Sequence, residues 1–365
     1  MLLCWGLVEY LKALRDDDER RRTLELGVAS LIFALLVMTR PDGLLAYGLL
    51  WLHAAWSFRA EPRKLAIFSI PFVSMYTPYF LWRWHYYGAF LPNTYYGKSG
   101  GALAQLARGS IETVRFLELQ TGGLLLVGLV GLWIFFSPTL ETTVMGLAAA
   151  SRILFEVWSG GQTAGRFRFL LPALPLVWIM TERTLISWLR PGRLAPRVAY
   201  VLVAVSGLFL FAQLTEDVRL WRHEIEPEVI GTERSHIALG KWLKQNSPPE
   251  ATVAVGNIGA IGYWSHLRVL DLDGLTDAHI AHLPGAFGDK RDSRYVLSQS
   301  PEFIILRVHR CSPEPQDISL GMDQALFVDP GFQNGYHPVR CWDFWESYHL
   351  MLYATNHLMN DGSVR

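Results

Sequence analysis

The sequence predicts a mainly α-helical chain, with a polytopic transmembrane core of about eight helices over residues 1–214 and a small α/β soluble domain over residues 215–365. Three observations carry that reading. Up to about Leu214, apolar runs of roughly 15 to 22 residues alternate with short charged loops, close to the length that crosses a bilayer as a helix. Beyond Thr215 the charge is ordinary, Gly and Pro turns recur, and no apolar run reaches that length. Lys and Arg are shared unequally between alternate loops, as they are when one set faces the cytoplasm.

The expected spans are Met1–Leu14, Leu24–Met38, Gly43–Phe58, Leu65–Tyr87, Gly122–Phe136, Thr142–Trp158, Phe169–Leu189 and Val198–Leu214. Helices are the form that satisfies every backbone group of such a run inside hydrocarbon. The loops holding Lys12, Arg15 and Arg20 to Arg22, then Arg59, Arg63 and Lys64, then Arg190, Arg193 and Arg197 are the more basic set and are assigned to the cytoplasm. The Thr39–Asp42 turn, the Ala89–Thr121 loop, the Ser159–Arg168 loop and the tail then face the opposite side. Within the long loop, Leu103, Leu106, Ala107, Ile111, Val114 and Leu117 recur at helical spacing. That stripe fits a helix lying on the membrane surface or one packed on the core.

In the tail, Ile230–Gln245 reads as a helix ended by Pro248 and Pro249. Thr252–Val255, Arg268–Leu270 and Phe303–Leu306 read as short strands, with a helix around Ser293–Ser298, and the alternation gives a small α/β domain. Gly256, Gly259 and Gly262 follow the first strand as GxxGxxG, which lacks both the dinucleotide spacing and a Walker lysine. They are read as a tight strand-to-helix connection.

The 33 Lys and Arg balance 33 Asp and Glu, which argues against a nucleic-acid partner, since those need a basic face. Of three cysteines, Cys4 sits in an apolar segment, while Cys311 and Cys341 share the tail. These two either form one disulfide on an oxidising side or remain separate buried thiols. No cleavable signal is evident at the start of the chain.

Polar groups at the outer mouths of apolar helices are costly unless they line an aqueous cavity. Arg40 in Thr39-Arg40-Pro41-Asp42-Gly43 suits a phosphate, and Asp42 suits either a helix cap or a base. Asn93, Tyr95, Tyr96 and Lys98 lie together in one loop, where amide and rings suit a sugar and the ammonium suits a phosphate. Gln162, Arg166 and Arg168 follow Gly160-Gly161, and two arginines at a helix mouth can clamp a diphosphate. Arg152 and Glu156 stand four apart in one span and are expected to pair on one helix face. In the tail, Asp271 and Asp273 imitate the metal-binding DxD of soluble glycosyltransferases or simply end a strand. A divalent metal is the one cofactor this admits, and the scattered histidines offer no zinc spacing.

Taken in order, Leu36-Val-Met-Thr-Arg-Pro-Asp-Gly43, Leu91-Pro-Asn-Thr-Tyr-Tyr-Gly-Lys98, Gly160-Gly161 through Arg166-Phe167, and Ile261-Gly-Tyr through Asp271-Leu-Asp-Gly-Leu-Thr-Asp277 resemble a membrane glycosyltransferase family of the GT-C class. The likeness is to actinobacterial terminal arabinofuranosyltransferases and related bacterial polyprenyl-phosphate-sugar transferases. It implies a multi-pass protein of the bacterial plasma membrane with its C-terminal domain outside. It also implies transfer of a sugar from a polyprenyl-phosphate donor to a glycan or protein acceptor, by an acidic base in the first external loop. This chain departs from the family twice. Its start resembles an internal helix, so it is expected to be truncated, and Gln162 stands where relatives carry an aspartate.

On this reading Arg40, Lys98, Arg166 and Arg168 hold the donor phosphate, while Asn93, Tyr95, Tyr96 and Gln162 orient sugar or acceptor. Asp42, or a carboxylate missing upstream, is the base. A lipid-glycan transporter and a non-catalytic, glycan-binding membrane scaffold are the alternatives.

Overall fold

The computed structural model describes residues 1–120, 139–161, 167–189, 208, 215, 218–219, 221–319, 321–345 and 348–360. The protein is mainly helical, with a small C-terminal sheet domain. Its chain divides into two compact units, one of Met1–Phe90 and Ala102–Leu214, the other of Leu91–Gly101 and Thr215–Arg365. The loop at residues 91–101 therefore belongs with the tail and not with the helical core, a correction to the expected boundary.

The first unit contains α1 (Leu2–Arg15), α2 (Glu19–Thr39), α3 (Gly43–Ser57) and α4 (Pro62–Tyr87). After α5 (Asn93–Lys98), which is part of the second unit, come α6 (Ala102–Gln120), α7 (Leu140–Ser159) and α8 (Leu174–Leu189). Of the expected spans, Gly122–Phe136 and Val198–Leu214 lie outside the described residues, Leu208 apart. The other six are helical, but among the described residues α2 and α4 alone are long and apolar enough to cross a membrane. The remaining four fall short in length or in polarity. α1, α3 and α8 have 14, 15 and 16 residues, against the roughly 20 that a span needs. α7 is long enough, but holds Glu141, Arg152 and Glu156.

α2 packs on α1 and α4, and α7 packs on α3 and α6. Pro71 interrupts the backbone ladder of α4, and Ser30 of α2 enters at that point. Its hydroxyl donates to the Phe68 carbonyl at 2.7 Å and accepts from the Phe72 N–H at 2.9 Å. Tyr47 donates to the same carbonyl at 3.0 Å. A side chain inserted into the i to i−4 ladder satisfies groups that a proline turn would otherwise leave open. Around it Tyr10, Phe33, Tyr47, Phe68 and Phe72 form the buried aromatic centre of this unit.

The apolar stripe on α6 faces away from the packed helices, which agrees with the surface-helix alternative and not with the core-packed one. Gln105, Gly109, Thr113 and Phe116 are buried, with Gln105 Nε2 donating to the Trp158 carbonyl at 2.7 Å. Leu103, Leu106, Ile111 and Val114 face outward instead. The helix meets α7 through small and polar side chains, because Gly109 allows close approach: a Cβ there would lie 2.4 Å from the Glu156 carbonyl.

The second unit is a five-stranded mixed sheet in the order β2-β1-β3-β5-β4, with β1 (Thr252–Val255), β2 (Arg268–Asp271), β3 (Phe303–Val308), β4 (Tyr336–Trp345) and β5 (Tyr348–Thr355). β1, β2 and β3 are parallel, and β5 and β4 continue the sheet antiparallel. Val253, Val255, Phe303 and Ile305 enter one core; Ala254, Ile304 and Leu306 enter the other. That alternation buries both faces of the sheet. The covering helices are α9 (Glu226–Thr232), α10 (Ala238–Asn246), α11 (Ile258–Ser265), α12 (Ala278–His282), α13 (Ser293–Ser298), α14 (Met322–Phe327), α15 (Pro330–Gly335) and α16 (Asn356–Asn360). GxxGxxG is indeed a strand-to-helix connection, leading from β1 into α11.

Cys311 and Cys341 form a disulfide across a separation of 30 residues. Closing a loop of that length restricts the unfolded chain. Replacing both cysteines by serine is expected to lower the stability of the second unit by roughly 3–4 kcal/mol. The readout is the urea midpoint of the full chain without reductant, and an unchanged midpoint would remove the bridge from the list of stabilising features.

Candidate functional site

At the α2–α3 turn the side chain of Asp42 does not cap α3. It turns to α7, where Arg152 Nη1 donates to its Oδ2 and Arg152 Nη2 donates to its backbone carbonyl at 2.7 Å. Arg40 Nε donates to the other carboxylate oxygen at 3.0 Å. Asp42 and Arg152 are buried, while Arg40 stays half-exposed. Arg40 and Arg168 both lie over the ring of Phe169, at 5.2 and 5.3 Å from its centroid, within cation–π range. The fold thus gathers Arg40, Asp42 and Arg168, and adds Arg152 and Phe169, which sequence reasoning gave no part in the phosphate site. Both oxygens of Asp42 already accept from guanidinium groups, so the residue holds the cluster together and is poorly placed as the base.

Arg152 and Glu156 were expected to pair, and they do not. With Arg152 turned to Asp42, Glu156 is buried on the last turn of α7 and its Oε2 has no hydrogen-bond partner among the described residues. Gly160 and Gly161 follow with φ of 81° and 73°, the left-handed region that favours glycine. A Cβ at Gly161 would lie 3.0 Å from Glu112 Cγ and 3.5 Å from Glu156 Oε1, so two carboxylate side chains flank this turn. Gln162 and Arg166 lie outside the described residues.

The Asn93-to-Lys98 group belongs to the second unit, which its polar atoms serve. Asn93 Nδ2 donates to the carbonyls of Gly274, Leu275 and Asp277 at 3.1, 3.2 and 3.2 Å. The Tyr96 ring stacks on His282 with centroids 4.4 Å apart. Lys290, itself buried, donates to the carbonyl of Tyr96 at 2.7 Å and to that of Ala281. Tyr95 packs edge-on against Tyr96, and Lys98 lies 6.0 Å from the Phe287 ring centroid. Asn93 and Tyr96 therefore fix α5 against the turn at residues 274–277 and against His282. Two of the strings that carry the family resemblance meet here as a structural joint.

Asp271 and Asp273 are likewise engaged within the second unit. Asp271 accepts from the backbone N–H of Asp273 at 3.0 Å and from the N–H and hydroxyl of Thr276 at 2.7 and 3.1 Å. Burial raises its pKa, and these turn bonds oppose the rise. Asp273 takes a bidentate bond from Arg307 at 3.1 and 2.9 Å, and Arg307 Nε reaches Asp323 at 2.5 Å. Burial disfavours the Arg307 cation, but Asp323 and Asp273 outweigh it and hold its pKa above the ordinary value. Cys311, Cys341, Asp343 and His349 converge within metal-ligand distances. Their sulfurs are joined in the disulfide, however, which removes the thiolates that a metal would take.

Sequence reasoning missed Arg307, whose signal is a lone arginine inside the apolar run Phe303–Val308. It also missed His236, which is buried behind Asn257. Asn257 Nδ2 donates to His236 Nε2 at 2.7 Å, and Ser235 Oγ lies 2.9 Å from Nδ1 while donating to the Gly231 carbonyl. This pattern suits a neutral ring with its proton on Nδ1. Burial pushes the His236 pKa down to about 4.

Two measurements follow. Asn93→Ala leaves three carbonyls without their donor and is expected to cost roughly 1–3 kcal/mol, read as easier proteolysis within residues 91–101 and a lower urea midpoint. Unchanged stability with weakened substrate binding would return Asn93 to a ligand role. For His236, the folded pKa of about 4 lies below the usual 6.5. The stability contributed by the neutral ring is therefore full above about 6.5 and is lost as pH falls towards 4, by ~3 kcal/mol. His236→Gln should flatten that part of the stability–pH curve. A difference between variant and parent that does not change between pH 7 and 4 would contradict it.

Residues 222–358 match a family described as a domain of unknown function, DUF8728. No curated protein matches the chain.

Proposed function

We propose that the protein is a membrane glycosyltransferase of the GT-C kind, acting on the outer face of a bacterial plasma membrane. It moves a sugar from a polyprenyl-phosphate donor to a cell-envelope glycan or protein acceptor. The observation that carries this reading is the inverted polarity of the first unit. Arg152 and Asp42 are 3% and 5% exposed, while Leu103, Trp56, Ile70 and Trp82 are 84%, 73%, 64% and 58% exposed. In water such a surface is an association hazard. Against lipid it is the favourable sense, with the charges turned to the interior of the helical body.

Arg40 and Arg168, gathered on Phe169, supply the cationic clamp for the donor phosphate. Glu156, a buried carboxylate with an unpartnered oxygen, serves as proton acceptor in place of Asp42. The acceptor hydroxyl oxygen attacks the anomeric carbon, and the bond from that carbon to the phosphate oxygen breaks. Its electron pair leaves with the phosphate, stabilised by the two guanidinium groups, and the hydroxyl proton passes to Glu156. The disulfide supports an oxidising, non-cytoplasmic side for the second unit.

The test is sugar transfer by the purified full chain from a panel of polyprenyl-phosphate sugars. Arg40→Ala with Arg168→Ala is expected to lower turnover by roughly 10²-fold or more, and Glu156→Gln by ~10²–10⁴-fold with donor affinity kept. Transfer undiminished by these changes would sink the site. Glycan binding without transfer from any donor would favour a membrane scaffold, the reading that the full engagement of Asp42 best suits.

A further inference from the structure

The helical run from Trp221 to Asn246 is not a plain α-helix. It widens into a π turn at Trp221–Ile225 and again at Glu233–Ile237, with α9 between them. A π turn interrupts the regular ladder, is rare, and is frequently retained at functional sites. Each of these turns carries one arginine, Arg222 in the first and Arg234 in the second.

Both arginines line a single open surface groove of about 360 Å³. On an unbroken α-helix two residues this far apart would point about 120° away from each other around the axis. The π turns rotate less per residue and bring the two side chains towards one face. Among the described residues neither guanidinium has an ion-pair partner. Phe344 forms one wall of the groove from the end of β4, which lies directly on the helix: a Cβ at Gly231 would sit 2.4 Å from the Phe344 carbonyl. Pro227 and Ile230 add apolar wall, and Glu226 contributes one carboxylate. The match to DUF8728 begins at Arg222, so the whole lining falls within it.

Two guanidinium forks suit a phosphate. The aromatic ring and proline suit the face of a sugar, and a carboxylate accepts from a hydroxyl but repels a bare anion. We infer that this groove binds a phosphorylated sugar, with the phosphate between Arg222 and Arg234, the ring against Phe344 and a hydroxyl on Glu226. The site lies wholly within the second unit and does not require the transfer site. Its ligand comes from one of two sources, a free sugar phosphate or the headgroup of a lipid-linked one.

The experiment is calorimetric titration of the full chain in detergent with inorganic phosphate, with glucose, galactose and mannose 1-phosphates, and with the same sugars on a short-chain polyprenyl phosphate. At least one sugar phosphate should bind ten-fold or more tightly than inorganic phosphate. Arg222→Ala and Arg234→Ala should each weaken it by about 10-fold or more. Glu226→Gln should weaken the sugar phosphate while strengthening inorganic phosphate, a crossed response that misfolding cannot produce. A gain on the polyprenyl form that Arg222→Ala and Arg234→Ala abolish, but Arg40→Ala with Arg168→Ala leaves intact, assigns the lipid-linked source, and equal affinity for the two forms assigns the free one. Binding of none of these ligands, preference for inorganic phosphate, or affinities indifferent to both arginine substitutions would overturn the inference.

Discussion

A guanidinium taken out of solvent must meet a carboxylate at hydrogen-bond distance, and for Arg152 that carboxylate is Asp42. The pair joins the middle of α7 to the turn between α2 and α3. Removing one partner from such a pair leaves a buried charge uncompensated, at a cost of about 3–5 kcal/mol. The position of the turn is therefore set by the arginine, and much else follows from the turn. Arg40 is carried to Phe169, Arg168 meets it there, and Gly43 lies so close to α2 that a Cβ would come within 2.9 Å of Leu36 Cγ. A residue that reads as a base by its place in the chain is here the anchor of the site.

The second unit obeys the same rule with different groups. Its turn at residues 271–277 is held from within by Asp271 and from outside by the amide of Asn93, which meets three carbonyls at once. Buried backbone carbonyls need donors, and no regular element supplies them at a turn. Asn93 does so from 181 residues away in sequence. Short strings that resemble a transferase family can thus persist for architecture as readily as for chemistry.

This explains what was legible in the sequence. Strands β1 to β3 and the helix at Ser293–Ser298 are local events, declared by apolar runs and the turn residues around them. The hairpin of β4 and β5 went unread although Tyr348–Thr355 is rich in aliphatic and aromatic residues, because Pro338 and two register shifts obscure the alternation in its partner. Periodicity pairs Arg152 with Glu156 since it sees only neighbours on one helix. The actual partner lies 110 residues away, and no spacing rule reaches that far. The outward apolar stripe of α6 was visible as a stripe, but which side it faced depended on Gly109 and α7.

The satisfied carboxylates also show where chemistry remains available. Asp42, Asp271 and Asp273 have every oxygen engaged, so their burial is accounted for by structure. Asp323 keeps one oxygen unpartnered, yet the cation of Arg307 lies against the other and offsets its desolvation. Glu156 differs from all of these. Among the described residues it has no ion pair, one oxygen is unpartnered, and a second carboxylate, Glu112, stands beside the same glycine turn. An isolated buried carboxylate costs several kcal/mol that its surroundings must offset. Folding alone would favour glutamine at that position, which fills the same space without the charge. A carboxylate on the last turn of α7 is therefore a cost that the fold does not explain, and the proposed role as proton acceptor would account for it.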